Sequence, residues 1–206
     1  MYRPPAFAED DPAVLVLLAR RAGFGHLVTV GAEGGLTSTP VPFVIDDGGA
    51  SVRMHVARAN PAWRSAPCAA LLIVPVTDAY VSPSWYPSKA EHGKVVPTWN
   101  YEVVHGHGAL AAHDDARWVH RQITDLTDAN EGALPAPWSV TDPPDGYIEQ
   151  RQRAIVGLEL VVDRLEGKRK LGQNRPDADR AGAVEGMEAA GLRGSAAASA
   201  AMRTVP

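Results

Sequence analysis

The chain has almost no cysteine: Cys68 is the only one in 206 residues. A lone thiol makes no internal disulfide and follows no metal-ligand spacing. A disulfide framework and a Cys-based zinc site are therefore excluded, and a reducing, cytoplasmic setting is expected. Long apolar runs are missing as well. The longest, residues 14–19 and 68–76, fall far short of the roughly 20 residues needed to span a membrane, and the opening MYRPPAFAEDD has no apolar core of the signal-peptide kind. There is no excess of positive charge. The formal net charge is −4 and the isoelectric point about 6.0, whereas a nucleic-acid-coating surface carries a basic face, so direct DNA binding is not expected. No helix-turn-helix with a basic recognition face is evident either. Walker-type and Rossmann-type glycine loops are absent, and so is a G-x-S-x-G elbow. Ser82 and Ser84 stand outside any such elbow, which leaves hydrolase chemistry without a visible nucleophile.

What is present is concentrated in residues 80–101, YVSPSWYPSKAEHGKVVPTWNY. Trp85, Tyr86, Trp99 and Tyr101 stand among Pro83, Pro87 and Pro97, with Lys89, Lys94, Ser82, Ser84 and Thr98 interspersed. Rigid aromatics held by prolines cost little entropy to order and offer flat apolar faces with polar tips. That mixture suits a planar, phosphorylated ligand, and it equally suits a dimer interface, where Trp and Tyr are common anchors. The middle of the stretch, residues 83–97, has no helical or strand period and reads as a long functional loop.

The rest of the chain supplies a scaffold. Asp10 or Asp11 can cap a helix over residues 12–22, with Pro12 in its first turn and Val14, Leu15, Leu17 and Leu18 as its apolar stripe. Strands are expected at 24–30, 36–45, 51–56, 68–76, 80–82, 99–112 and 154–164, with hairpin connections at 31–35 and 46–49. Asn60-Pro61 announces one short helical turn over 61–65. Residues 114–129 turn helical, with Trp118, Ile123 and Leu126 near one face. The segment 131–146 holds four prolines and reads as a loop; 147–153 reads as a short helix. Beyond residue 177 the Ala-, Gly- and Glu-rich tail suggests one or two weak helices broken near 191–194. Length favours a single domain. The pattern as a whole predicts a mainly β, α+β fold, an antiparallel barrel decorated by helices.

Three further segments could carry chemistry. His55-Val-Ala-Arg58-Ala-Asn60-Pro61-Ala-Trp63-Arg64 leaves a strand and enters a helical turn, where backbone N–H groups and the two arginines could hold a phosphate; the alternative is a capped turn with solvated arginines. His105-Gly-His107 places two imidazoles on one face of a strand, about 6.6 Å apart along it. No third metal ligand is evident from the sequence, so a hydrogen-bonded role is expected and no metal. Gly167-Lys-Arg-Lys-Leu-Gly-Gln-Asn-Arg175 reads as a basic loop that is either a solvated charge run or a group of phosphate and ring-edge contacts.

Taken together, MYRPPAF at the start, HVARANP at 55–61, YVSPSWYPSK at 80–89, VPTWNYEVVH at 96–105 and GKRKLGQNR at 167–175 resemble the PaiB-type family of FMN-binding negative transcriptional regulators, within the wider FMN-binding split-barrel, pyridoxamine-phosphate-oxidase-like group. The resemblance covers residues 1 to about 180. It implies a six-stranded antiparallel split β-barrel over 1–180; the helical tail, 181–206, read from its composition, is expected to pack on the same domain. It also implies a homodimer with FMN in the groove between subunits. Carried over residue by residue, it assigns flavin contacts to His55, Arg58 and Asn60, to Ser82, Trp85, Tyr86 and Lys89, to Thr98, Trp99 and Asn100, and to Lys168, Lys170, Gln173 and Asn174. Gly172 stands where the family usually has serine, and His107 lies outside the usual pattern. No side chain is required as a catalytic acid or base, since a flavin performs any electron or hydride transfer itself. The expected role is flavin-dependent oxidoreductase-like or regulatory. The alternatives are an interaction dimer with an empty groove, or a split barrel that takes haem or deazaflavin.

Overall fold

The computed structural model describes residues 1–31 and 34–205. Seven strands form one sheet: β1 (Ala8–Glu9), β2 (Phe24–Val30), β3 (Leu36–Ile45), β4 (Ser51–Ala57), β5 (Cys68–Val81), β6 (Thr98–His113) and β7 (Ile155–Lys170). Their order is β1-β7-β4-β3-β2-β5-β6, and β7 also pairs with β6. Six strands, β2 to β7, thus close a ring while β1 adds an edge at the end of β7. Ring closure removes the exposed edges that an open sheet of this size would present. The helices are α1 (Pro12–Ala22), α2 (Ser88–His92), α3 (Ala116–Glu131), α4 (Tyr147–Gln152), α5 (Asp177–Ala190) and α6 (Ser195–Met202). This is the expected α+β fold, a six-stranded antiparallel split barrel with helices.

The chain divides into two compact units. One comprises residues 12–74 and 105–165, the other residues 1–11, 75–104 and 166–205. In the first, β2, β3 and β4 form a meander in which Phe24 faces Pro42 and Phe43 faces Met54. Strand alternation turns Val52, Met54 and Val56 inward, and β4 pairs along the first half of β7 from Ser51↔Val161 to Ala57↔Ile155. Leu158 and Leu160 of β7 are fully buried; each such side chain contributes about 1.5–3 kcal/mol through burial. Asp115 caps α3 by accepting from Trp118 N at 2.9 Å. In the second unit Ala8 and Glu9 pair with Lys168 and Gly167, and α5 and α6 build a small core with Val81, Tyr86 and Leu171.

Several expectations needed correction. In α1 the buried stripe is Leu15, Val16, Leu18 and Ala19, and Leu17 is 64% exposed. A helix of 3.6 residues per turn aligns 15 with 18 and 19, and 16 with 19, which carries 17 to the opposite side. The strand expected to stop at 76 runs on to Val81. Its polar residue Asp78 finds a partner in Arg193 and its carbonyl is covered by Gly194. Residues 83–97 are not loop throughout: Pro83–Trp85 is a 3-10 turn whose cap, Ser82 Oγ, accepts from Ser84 N at 3.2 Å, and α2 follows until Gly93, at φ 67°, ends it. The basic segment after 166 begins as strand, because β7 extends to Lys170. The N-terminal arm contains a 3-10 turn, Pro5–Phe7, and β1. In the connection expected at 31–35, Ala32 and Glu33 lie outside the described residues, while Gly31 N donates to Gly35 O at 2.8 Å.

Candidate ligand site

Within the unit that contains the aromatic stretch, β6 alternates strictly. Asn100, Glu102 and Val104 are buried, while Trp99 and Tyr101 face the other way and Trp99 is 49% exposed. β7 runs beside it and places Lys168 and Lys170 on the face of Tyr101. Their Nζ atoms lie 5.4 and 6.0 Å from the Tyr101 ring centroid, and Lys168 is also 5.4 Å from the ring of Tyr2. Trp99 meets Tyr80 edge to face, with centroids 6.2 Å apart and planes at 73°. Lys170 is oriented by two acceptors, Thr98 Oγ1 at 2.7 Å and the Trp99 carbonyl at 2.5 Å.

The electrostatics of this face favour an anion. Burial, then the neighbouring charges of Lys168 and Arg175, push the Lys170 ammonium below its ordinary pKa. Lys168 lies against the rings of Tyr2 and Tyr101, and Lys170 donates to a hydroxyl and a carbonyl, which are neutral groups. Like charges held together in a partly dry setting repel one another, and an incoming dianion relieves that repulsion. Tyr101, Trp99 and Tyr80 add flat faces beside the charge.

The remaining residues of the stretch are held differently. Tyr86 is 5% exposed in the α5–α6 core, with Arg175 5.0 Å over its ring, and burial raises its phenol pKa. Trp85 lies against α5, where Gly182 and Gly186 leave the room its backbone and indole occupy. Ser88 donates from N and Oγ to Asp179 at 3.1 and 2.7 Å. Burial alone would raise the Asp179 pKa, but the two Ser88 donors, with Arg175 and His92, hold it below the ordinary value. Lys89 Nζ donates to Ser84 Oγ at 2.9 Å. Asn100 is buried and directs Nδ2 at Met202 Sδ, 3.3 Å away. Gln173 secures the backbone, accepting from Leu171 N at 2.8 Å and donating to Arg169 O at 2.6 Å, while Asn174 is exposed. Gly172 sits at φ 86°, a conformation that serine adopts only with strain.

The other unit carries the strand-to-turn segment. Arg58 forks onto both carboxylate oxygens of Asp114, one contact at 2.9 Å, and also donates to the carbonyls of Arg153 and Ile155 at 2.8 and 3.1 Å. The pair raises the Arg58 pKa and lowers that of Asp114, chiefly through their mutual hydrogen bond. Asn60 Oδ1 caps the turn Pro61–Ser65 by accepting from Ala62 N at 2.9 Å. His55 Nδ1 lies 2.7 Å from Gln122 Oε1. A cavity of about 430 Å³ lies beside the turn, lined by Thr29, Thr37, Pro61, Arg64 and Ser65 among others. His105 and His107 sit on one face of β6 with ring centroids 6.2 Å apart.

Of the residues assigned from sequence, Thr98, Trp99, Lys168 and Lys170 therefore come together in one unit, and His55, Arg58 and Asn60 lie in the other. Tyr2, Tyr80, Tyr101, Glu102, Arg169 and Arg175 were not assigned. Extending the strand period of β7 to Lys170 would have found three of them, Tyr101, Glu102 and Arg169, since it separates Lys168 and Lys170 from Arg169 and sets each beside β6.

A six-stranded antiparallel ring of this kind, decorated by helices and carrying a basic, aromatic face, defines a protein of the FMN-binding split-barrel type. The chain belongs to the PaiB-type family described as "Putative FMN-binding domain", whose model matches residues 1–164. Among its relatives, an uncharacterized protein of Aspergillus fumigatus is 37% identical over 127 residues, 54% of this chain and 49% of that one. The chain therefore spans about half the length of that relative. The protease synthase and sporulation protein PAI 2 of Bacillus subtilis is 28% identical over 195 residues, covering 91% of this chain and 89% of the relative. Among solved structures, the flavocytochrome Anf3 of Azotobacter vinelandii superposes with a TM-score of 0.63 at 15% identity, covering 82% of this chain and 72% of that one; the likeness is one of fold. Among the described residues no helix is long and apolar enough to cross a membrane.

Proposed function

We propose that this chain binds FMN, as a homodimer, and acts as a flavin-dependent oxidoreductase-like or flavin-linked regulatory protein. The observation that carries the reading is the Tyr101 ring with Lys168 and Lys170 beside it, and Trp99 and Tyr80 alongside. The residues present fit the group: two cations set beside aromatic rings and neutral acceptors suit a phosphate dianion, and the aromatic faces suit a planar ring system. Bound FMN would supply the electron or hydride chemistry, and the protein's part is to bind and orient it. Family membership supports the same ligand, and the half-exposed Trp99 offers surface to either a flavin ring or a partner subunit. Regulation, on this reading, works through the flavin or a protein partner.

The absorbance spectrum of the purified protein, with and without added FMN, tests this. A flavin band that stays with the protein through gel filtration is the expected result. A colourless protein that takes up no FMN would support the interaction dimer, and a Soret band would support haem.

A further inference from the structure

The buried side of the same two strands carries an ion pair. Glu102, completely buried, accepts from Arg169 Nε at 2.8 Å, and the Arg169 side chain is only 13% exposed. Arg169 has two further partners, one from each end of the chain: its guanidinium donates to Thr204 Oγ1 at 2.6 Å and lies 3.6 Å from the Glu9 carboxylate. In a strand, successive side chains point to opposite faces. Arg169 therefore stands on the reverse of the two lysines that flank it in sequence, and Glu102 on the reverse of Tyr101.

We propose that Arg169, gripped by Glu102, Glu9 and Thr204, is the positioning residue of the ligand face. It fixes β7 against β6 so that Lys168 and Lys170 are presented beside the Tyr101 ring. The proposal rests on the flavin reading above and adds to it a device on the opposite face, involving residues outside the matched family segment. A guanidinium suits this task because its planar fork reaches several acceptors at once; a lysine ammonium on a flexible stem does not hold the same geometry.

The test compares FMN with riboflavin, which lacks the phosphate, by flavin-fluorescence titration of the full chain. Arg169→Lys is expected to weaken FMN by about tenfold, a typical loss when charged hydrogen bonds are misplaced, and to change riboflavin by less than about twofold. Glu102→Gln keeps an acceptor for Nε but removes the buried counter-charge, and is expected to weaken FMN in the same direction as Arg169→Lys. Thr204→Val, which removes one of the three partners, gives a smaller shift in the same direction and serves if Arg169→Lys does not fold. A second readout needs no flavin: amine-labelling rates of Lys168 and Lys170, read by mass spectrometry, are expected to change in Arg169→Lys and in Glu102→Gln alike. Unchanged labelling in folded Arg169→Lys, or a parallel loss of both flavins, overturns the proposal. A wild-type chain that binds no FMN overturns the flavin reading, and the labelling pattern then decides whether Arg169 positions the lysines.

Discussion

Arg58 in one unit and Lys168 with Lys170 in the other are all basic side chains at strand ends, yet their charges are held differently. Arg58 is neutralised by Asp114 and its remaining donors go to two backbone carbonyls. The lysines both lie near the Tyr101 ring, and Lys170 is under repulsion from Lys168 and Arg175. A cation already paired must give up a carboxylate to receive a phosphate. A cation held by a neutral hydroxyl, a carbonyl or a ring face gains on receiving it. Residue type alone would rank Arg58 first, as the better bidentate donor; the surroundings reverse that order.

The largest effect expected from this contrast is the loss of FMN on removing both lysines. Lys168→Ala with Lys170→Ala should weaken FMN by about 10- to 100-fold, from about 1.5–3 kcal/mol for hydrogen bonds to a charged group. Riboflavin should be little affected. Equilibrium titration of the double variant against wild type measures this, and equal losses for the two flavins would break the comparison.

Next in size is the effect of freeing Arg58. Asp114→Asn removes the neutralising charge, and if the strand-to-turn segment is a latent anion site, FMN should then bind several-fold tighter, about the gain of one weak charged contact. The account instead expects a change of less than about twofold, because the phosphate is held in the other unit. Tightening on Asp114→Asn together with loss on Arg58→Ala would move the anchor to Arg58.

A smaller effect concerns pH. The Lys170 pKa is depressed, so its ammonium discharges below the usual lysine range as pH rises. FMN affinity should weaken on entering that alkaline window, while riboflavin affinity should not. The Asp114 pKa is also depressed. Its contribution to stability is present above the unfolded carboxylate range and is lost as pH falls through the lowered value. Both partners are solvent-exposed, so the thermal midpoint of Asp114→Asn near neutral pH should fall by less than about 3 °C, measured by differential scanning calorimetry.

Most of the fold was legible because period and punctuation agree. The runs at 24–30 and 36–45 became β2 and β3 unchanged, and Asn60-Pro61 opened the turn it announces. The errors fell where charge interrupts a strand. Asp78 and the KRK run at 168–170 look like ends of strands in sequence, but Asp78 finds Arg193 in the α5–α6 connection and Arg169 and Lys170 find Glu102 and Thr98 on β6, so pairing continues. The ligand face was half legible. Aromatic and basic residues do gather there, but which of them are buried depends on α5 and α6, whose weak Ala- and Gly-rich pattern gives no hint that Gly182 and Gly186 accommodate Trp85 or that Asp179 reaches Ser88. Tertiary contacts of that sort leave no local signature.

The central claim, a phosphate held by Lys168 and Lys170 beside the Tyr101 ring, is tested most directly by titrating the wild-type chain with FMN and with riboflavin under the same conditions. The account predicts that FMN binds at least about tenfold more tightly than riboflavin, as expected when a phosphate gains charged hydrogen bonds. Equal affinity for the two, or no binding of either, would contradict it.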